Sequence, residues 1–397
     1  MKPIHERLRR VVARAIESQL PMSVHDDQQA QLETADLLVR SALVDGQFGD
    51  LFASEPQGFG SGNTAIMVAR LEATLSFVVK VDRSPGVVAE AHLLKQFATE
   101  PALPHATREA FPRIYAIDDV GPIFGYLMES LEGYVPLSET IAGGDDVIGS
   151  QILAVAWQRL LEPAYRATRQ QRLVPNVTED YFVRAARRLQ AAASEGLLPG
   201  SDAPLRIVAG GETVEFARGW GEAVARASNR LRAVAPCFGT FVHGDPNPEN
   251  VLWRAEGNGN VAVRLIDPKD WRVGDYLFDA AKIGHYLRVT SPVGRLPCAA
   301  SQQSDGTCRT VQYTTDGLRA KAALEEGFLG LVAEFAAEAE GPMWRVRYEL
   351  AVAANLLAIA GPRLARARAR DGARQTTLGL VAFGEGLRLL QAADLER

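Results

Sequence analysis

The sequence predicts an α+β chain in two lobes, a small β-rich lobe followed by a larger, mainly helical one. Three observations lead there. At 397 residues the chain is longer than one hydrophobic core usually serves. Runs rich in β-branched and apolar residues cluster between Leu51 and Met128. Past Pro136, apolar residues recur at three- and four-residue spacing, the period of a buried helix face. The implied organisation is a helical extension over 1–45, a β-rich lobe over 46–135 and a helical lobe over 136–397.

In chain order, residues 3–42 read as two helices broken between Pro21 and His25. Gln57-Gly-Phe-Gly-Ser-Gly-Asn63 reads as a glycine-rich turn between strand-like segments, followed by strands from Thr64 to Leu71 and from Leu75 to Val81. Val87 to Phe97 has helical spacing, and Ile114 to Ile117 and Gly125 to Met128 read as further short strands. In the second lobe Ile152 to Arg166 and Glu179 to Ser194 read as helices, with Pro163 kinking the first. Leu205 to Val208 and Thr213 to Phe216 flank Gly210-Gly211 as a hairpin. A helix from Ala217 to Val234, strand-like runs at 251–254 and 261–267 and further helices complete the chain. Ser291 to Asp316 reads as a long polar loop, a length associated with lids or disorder.

Bulk composition narrows the function classes. The chain is 47% hydrophobic and 23% charged, which excludes a disordered, collagen-like or disulfide-stapled protein. With 43 basic and 48 acidic side chains the net charge is −5, which argues against a broad nucleic-acid-binding surface. Only six of the basic residues are Lys, so a Lys inside a motif stands out. Three Cys cannot make a full disulfide framework, and no zinc-type ligand spacing surrounds them. No signal-type apolar core lies near the N-terminus, and no run of about 18 uncharged apolar residues occurs. The expectation is a soluble, cytoplasmic protein with no membrane partner.

The most informative stretch is Phe241-Val-His-Gly-Asp-Pro-Asn-Pro-Glu-Asn250, in which Asp245 and Asn250 stand five residues apart. Arg264-Leu-Ile-Asp267 follows after two strand-like runs and the turn Glu256-Gly-Asn-Gly-Asn260. A hairpin there would return Asp267 to the end of the sheet that carries Asn250, pairing two hard oxygen ligands suited to Mg²⁺. Pro268 to Lys282 then contains Gly274-Asp275 and Asp279-Ala-Ala.

These residues resemble the HGDxxxxN loop and IDxxxxxxGDxxxDLA extension of the aminoglycoside phosphotransferase and choline kinase superfamily, itself similar to protein kinases. Ala280-Ala281 departs conservatively from the usual Leu-Ala. The resemblance covers about residues 50–290 and implies a bilobal protein-kinase-like fold that transfers a phosphoryl group from ATP or GTP with Mg²⁺. It makes Asp245 the catalytic base, Asn250 and Asp267 the metal ligands, and His243 a support for the loop.

For the nucleotide, the same resemblance implies that Gly58, Gly60 and Gly62 cover the phosphates, although glycines at that density also mark plain hairpin turns. Lys80 ends a strand at the place of the phosphate-binding lysine, and Glu90 in the next helix is its natural partner or an ordinary solvated residue. Leu127-Met-Glu-Ser-Leu-Glu-Gly133 resembles the lobe linker. There the backbone of Glu129 and Leu131 would meet the adenine edge and Met128 the ring. An edge strand running into a turn would read the same.

For the acceptor, Asn247, Lys269, Asp270 and His285 are the candidates, with Lys269 equally readable as a loop lysine neutralising nearby acids. Asp145, Asp146, Glu179 and Asp180 could serve a polycation, but the stretch from Gly341 onward carries nine Arg against five acids. A sugar, amino sugar or related polyol therefore ranks above an intact aminoglycoside. Tyr181 with its Arg-rich helix, the Pro204 to Val214 hairpin, Ile266-Asp-Pro-Lys269 and Lys282-Ile-Gly-His285 resemble a bacterial sugar-kinase-like subgroup. A nucleotide-binding pseudokinase is the alternative of another class, disfavoured because Lys80, Asp245, Asn250 and Asp267 are all present. A protein kinase is disfavoured because Gly274-Asp275 leaves little room for an activation segment. The oligomeric state is not read from the sequence.

Overall fold

The structure, a computed structural model, describes residues 51–59, 65–71, 75–82, 84–119, 124–170, 179–269, 273–294, 298–367 and 372–395. The two helices expected over 3–42, and Gly60, Gly62 and Asp270, lie outside the described residues. So do the side chains of Glu179 and Asp180. The chain divides into two compact units, one running up to Val135 with Arg254–Glu256 and Arg264–Lys269, the other holding the rest.

In the first unit five antiparallel strands, β1 (Leu51–Phe59), β2 (Ala65–Leu71), β3 (Leu75–Asp82), β4 (Ile114–Asp118) and β5 (Phe124–Glu129), stand in the order β1-β2-β3-β5-β4. Gly58 is part of strand β1, opposite Ile66, and not of a loop, because the ladder carries on to Phe59 opposite Ala65. Helix α1 (Gly86–Thr99) buries Val87, Ala91, Leu94 and Phe97, a stripe of three- and four-residue steps, and packs on β4 and β5. Its Phe97 ring lies 4.6 Å from Phe111.

The second unit is mainly helical. Asp146–Val155 runs through a wide π-helical turn, Ala156–Leu161, into Glu162–Ala167. Pro163 was expected to kink this helix. It stands in the first turn after the wide segment, where its missing N–H costs least. Helix α2 (Arg184–Ser194) follows another π-helical turn, Glu179–Val183. The short strand β6 (Val135–Pro136) precedes them, and a hairpin of β7 (Leu205–Ala209) and β8 (Glu212–Phe216) follows, turning at Gly210 and Gly211, whose φ values are 55° and 91°. β9 (Thr240–Phe241) leads to β10 (Val251–Ala255) and β11 (Val261–Leu265), which are neighbours in one sheet. β12 (Val273–Gly274) returns to pair with β9. Helix α3 (Tyr276–His285) is buried along its whole length.

The polar loop expected over 291–316 is a correction. It contains a turn of helix, Ser291–Val293, and a hairpin of β13 (Ala300–Ser304) and β14 (Arg309–Tyr313). β14 pairs in parallel with β7, which gives a sheet of order β13-β14-β7-β8. Helices α4 (Trp344–Ala367) and α5 (Gly372–Leu395) pack along each other and close the core. By length and composition α4 could cross a membrane, but 67% of its apolar window is buried in the fold, as in a core helix.

Candidate active site

In the second unit, strand β9 delivers the chain into His243-Gly244-Asp245. Gly244 turns there at a φ of 83°, which a side chain at this position would oppose. The turn is fastened from α3. The N–H groups of His243 and Gly244 donate to the two oxygens of Asp279 at 2.7 and 2.8 Å, and the Tyr165 hydroxyl adds a third bond at 2.9 Å. Burial raises the Asp279 carboxyl to about 6 in spite of these donors. The loop is also bonded within itself. The Asp245 N–H donates to His243 Nδ1 at 3.2 Å, and Asn250 N–H donates to the Asn247 carbonyl at 2.8 Å.

The Asp245 carboxylate is thus presented from a fixed backbone. Asn247 Nδ2 donates to its Oδ1 at 3.2 Å, and Lys282 Nζ stands at the same distance, 3.2 Å, from that oxygen. Asn250 spends its Nδ2 on the Asp245 carbonyl, at 2.9 Å. That bond orients the amide so that its Oδ1 is the end left to act as a ligand.

Helix α3 holds its place through Asp275 at its N-terminus. This carboxylate caps Leu277 N–H at 3.1 Å and accepts from the Tyr181 hydroxyl at 2.9 Å and from Arg347 Nε at 2.6 Å. Arg347, from α4, also pairs with Glu340 at 2.5 Å. At the other end of α3, His285 Nδ1 meets the Ala281 carbonyl at 3.2 Å. Burial, and then the Lys282 ammonium, push its imidazole down to about 3, so it is neutral.

In the first unit, Lys80 on β3 and Glu90 on α1 form an ion pair with Nζ at 2.8 and 2.6 Å from the two carboxylate oxygens. The Tyr126 hydroxyl, from β5, donates to Glu90 at 2.6 Å. That hydroxyl is held well above its ordinary range by burial first, then by Glu90, and further by the charge of Asp267, which places Asp267 near the same group. Asp267 has a φ of 57° and is the one non-glycine residue in the left-handed region among the described residues. Its carboxylate pairs with Lys269 at 2.6 Å, the neutralising arrangement.

Met128 lies in β5 opposite Val78 and Ile114. Glu129 N–H donates to the Arg113 carbonyl at 2.8 Å, and its carboxylate takes Arg264 Nη2 at 2.8 Å. Any adenine contact by the Glu129 backbone therefore runs through its carbonyl. The Leu131 carbonyl already accepts from Tyr134 N–H at 3.1 Å, leaving its N–H as the group for such a contact.

A family model described as "Phosphotransferase enzyme family" matches residues 55–297, more than half of the chain. The chain belongs to that family. As a member it is a phosphotransferase, a small-molecule kinase. No curated protein matches the sequence. Among solved structures it is similar to the apo form of a thermostable mutant of the aminoglycoside phosphotransferase APH(4)-Ia. That match has 14% identity and a TM-score of 0.51 over 90% of this chain and 99% of that one. A ternary complex of such a mutant with AMP-PNP and hygromycin B gives 13% identity and a TM-score of 0.51 over 89% and 98%. The GDP complex of an aminoglycoside 2′-phosphotransferase-IIIa mutant gives 16% and 0.50 over 92% and 97%. At these identities the likeness is one of fold, the α+β protein-kinase-like fold.

Within this phosphotransferase the described units bring together two groups of sequence-predicted residues. Lys80 and Glu90 pair in the first unit, with Asp267 and Lys269 also there; Asp245, Asn247, Asn250 and His285 stand in the second. Two further residues that the sequence reading did not single out as site residues touch this loop: Asp279, which fastens the His243–Gly244 turn, and Lys282, which pairs with Asp245. The scarcity of lysine was the signal that could have found Lys282.

The Mg²⁺ that the sequence resemblance implies would suit the donor chemistry present. An amide oxygen on Asn250 and a carboxylate on Asp267 are hard oxygen ligands of the kind Mg²⁺ takes alongside water and phosphate.

Proposed function

We propose that this phosphotransferase moves the γ-phosphoryl group of ATP or GTP to a hydroxyl of a small polar molecule, a sugar or amino sugar. The observation that carries the reading is the Asp245 carboxylate, fixed on a loop that Asp279 fastens from below and that Asn250 braces through the Asp245 carbonyl. Such a carboxylate accepts a hydrogen bond from the acceptor hydroxyl and takes its proton as the new O–P bond forms. The bond from the γ-phosphorus to the bridging oxygen breaks, and the nucleoside diphosphate leaves with that electron pair.

Lys80, held by Glu90, is a fixed cation for the nucleotide phosphates, with the glycine-rich segment around Gly58 the proposed cover. Asn250 and Asp267 would hold Mg²⁺, which when bound neutralises charge on the phosphates. The Glu129 carbonyl and the Leu131 N–H are the proposed adenine contacts, with Met128 beside the ring. The nucleotide-bound structures of similar fold, with AMP-PNP and with GDP, support nucleotide donors of either base.

The test is Mg²⁺-dependent release of ADP and GDP across hexoses, amino sugars, polyols, nucleosides and aminoglycosides. Asp245→Asn keeps the shape of the side chain and removes the base, so turnover should fall by about 10²–10⁴-fold. Near-normal turnover in that variant would refute the role assigned to Asp245.

A further inference from the structure

The Asp245 carboxylate is gripped from outside its own loop. We propose that Lys282 is a positioning residue for the phosphoryl transfer, its ammonium fixing the direction in which that carboxylate faces the acceptor hydroxyl. The proposal rests on the reading above, since it takes Asp245 as the group that meets the hydroxyl.

Two donors reach the same oxygen from different places. Asn247 Nδ2 comes from within the loop, 3.2 Å from Asp245 Oδ1, and its own amide is set by accepting the Glu249 N–H at 2.8 Å. Lys282 Nζ lies 3.2 Å from that oxygen and comes from α3. A donor inside the loop travels with it, whereas a donor on a buried helix ties the side chain to the core. Lys282 is 5% exposed and the rest of α3 is buried as well, so the ammonium has little freedom to swing away.

The same turn of helix already holds the backbone of the loop. Asp279 and Lys282 are three residues apart on α3, which makes them neighbours on one face. Asp279 takes the N–H groups of His243 and Gly244, and Lys282 takes the side chain of the next residue. One helical turn with opposite charges at its two ends therefore sets three consecutive residues. The carboxylate fixes where the turn lies, and the ammonium fixes where the base points.

Direction, and not basicity, is what such an ammonium supplies. A cation beside a carboxylate favours its charged form and so makes it a weaker proton acceptor. Phosphoryl transfer draws its rate mainly from positioning and electrostatics, so the aim of the carboxylate counts for more than its strength. The pair also supports the lysine. Burial lowers the Lys282 ammonium, and Asp245 is the group that most opposes that shift. A buried ammonium without its carboxylate is costly, which couples the two residues in stability as well as in geometry.

The test uses the full-length protein with Lys282→Met, Lys282→Arg, Asp245→Asn and a double variant combining Asp245→Asn with Lys282→Met. Two readouts are followed. One is ADP release from Mg²⁺–ATP, with the acceptor that the screen above returns and with water alone; the other is the urea midpoint. Lys282→Met should lower kcat about 10–10²-fold while KM for ATP stays within about twofold. Lys282→Arg, which keeps a cation in place, should recover part of that loss. Added to Asp245→Asn, Lys282→Met should cost nothing further in kcat, because the lysine acts through Asp245. In urea, Asp245→Asn should lower the midpoint by stranding a buried ammonium, and the double variant should regain it. Where Lys282→Met alone fails to fold, the double variant compared with Asp245→Asn carries the test. The proposal is overturned if Lys282→Met leaves kcat unchanged or raises KM instead. It is equally overturned if the two losses in kcat multiply, or if the double variant is less stable than Asp245→Asn. Absence of ADP release from the wild-type protein with every acceptor, water included, would strike the phosphotransferase reading instead, and the urea series would still decide the pair.

Discussion

His285 enters the folded state neutral, at about 3, and its ordinary value in an unfolded chain is 6.5. Its folded value is depressed, so the stability it contributes is present above about 6.5 and is lost as pH falls toward about 3. Unfolding in that window takes up about one proton at this site. Wild-type stability, followed as urea midpoints, should therefore drop more steeply between those pH values than that of His285→Gln. Parallel curves would show that His285 titrates normally. At this scale the sequence was readable where chemistry is contiguous. Asp245, Asn247 and Asn250 sit in one loop, and their mutual bonds span five residues or fewer. Asp279 meets the loop from 36 and 35 residues away, a pairing that only the fold of α3 against the loop after β9 creates. Lys282, on the same helix, was hidden for the same reason.

Helix α3 owes its position to a close approach to α4 as much as to its cap. A Cβ added at Gly284 would lie 2.0 Å from the Tyr348 hydroxyl and 3.1 Å from a methyl of Val352. Tyr348 has little room to yield, since it is fully buried and donates to Glu325 at 2.7 Å. Gly284→Ala should cost about 1–3 kcal/mol or more, read as a lower denaturation midpoint, and should lower activity by shifting Asp279 and Lys282 together. An unchanged midpoint would mean that α3 and α4 separate without strain.

Strands β2, β3 and β5 were legible because their residues are apolar and β-branched, and the β7–β8 hairpin because Gly210-Gly211 supplies its turn. β13 was not. Ala300-Ser-Gln-Gln-Ser304 is an edge strand without an apolar alternation, so its sequence reads as loop, and only pairing with β14 makes it a strand.

Taken whole, the chain has a net charge of −5. Nucleotide binding should register on the global stability. With Mg²⁺–ATP at about 100 times its dissociation constant, folding is favoured by about 2.7 kcal/mol, readable as a raised melting temperature. Lys80→Ala should remove most of that rise, because Glu90 would then be left without its cation next to Tyr126. A rise that persists in the variant would dissociate Lys80 from the nucleotide.

The parallel pairing of β14 with β7 also has a meaning for the order of synthesis. The β7–β8 hairpin leaves the ribosome about 100 residues before the strand that covers its open edge. At about 5–20 residues per second, β7 waits on the order of 5–20 seconds with the backbone groups of that edge unpaired. Helix α5, which packs against β13 and β14, arrives later still. During that interval the nascent chain displays a bare strand edge to its neighbours, and this hairpin is where chaperone capture or misassembly between growing chains would begin.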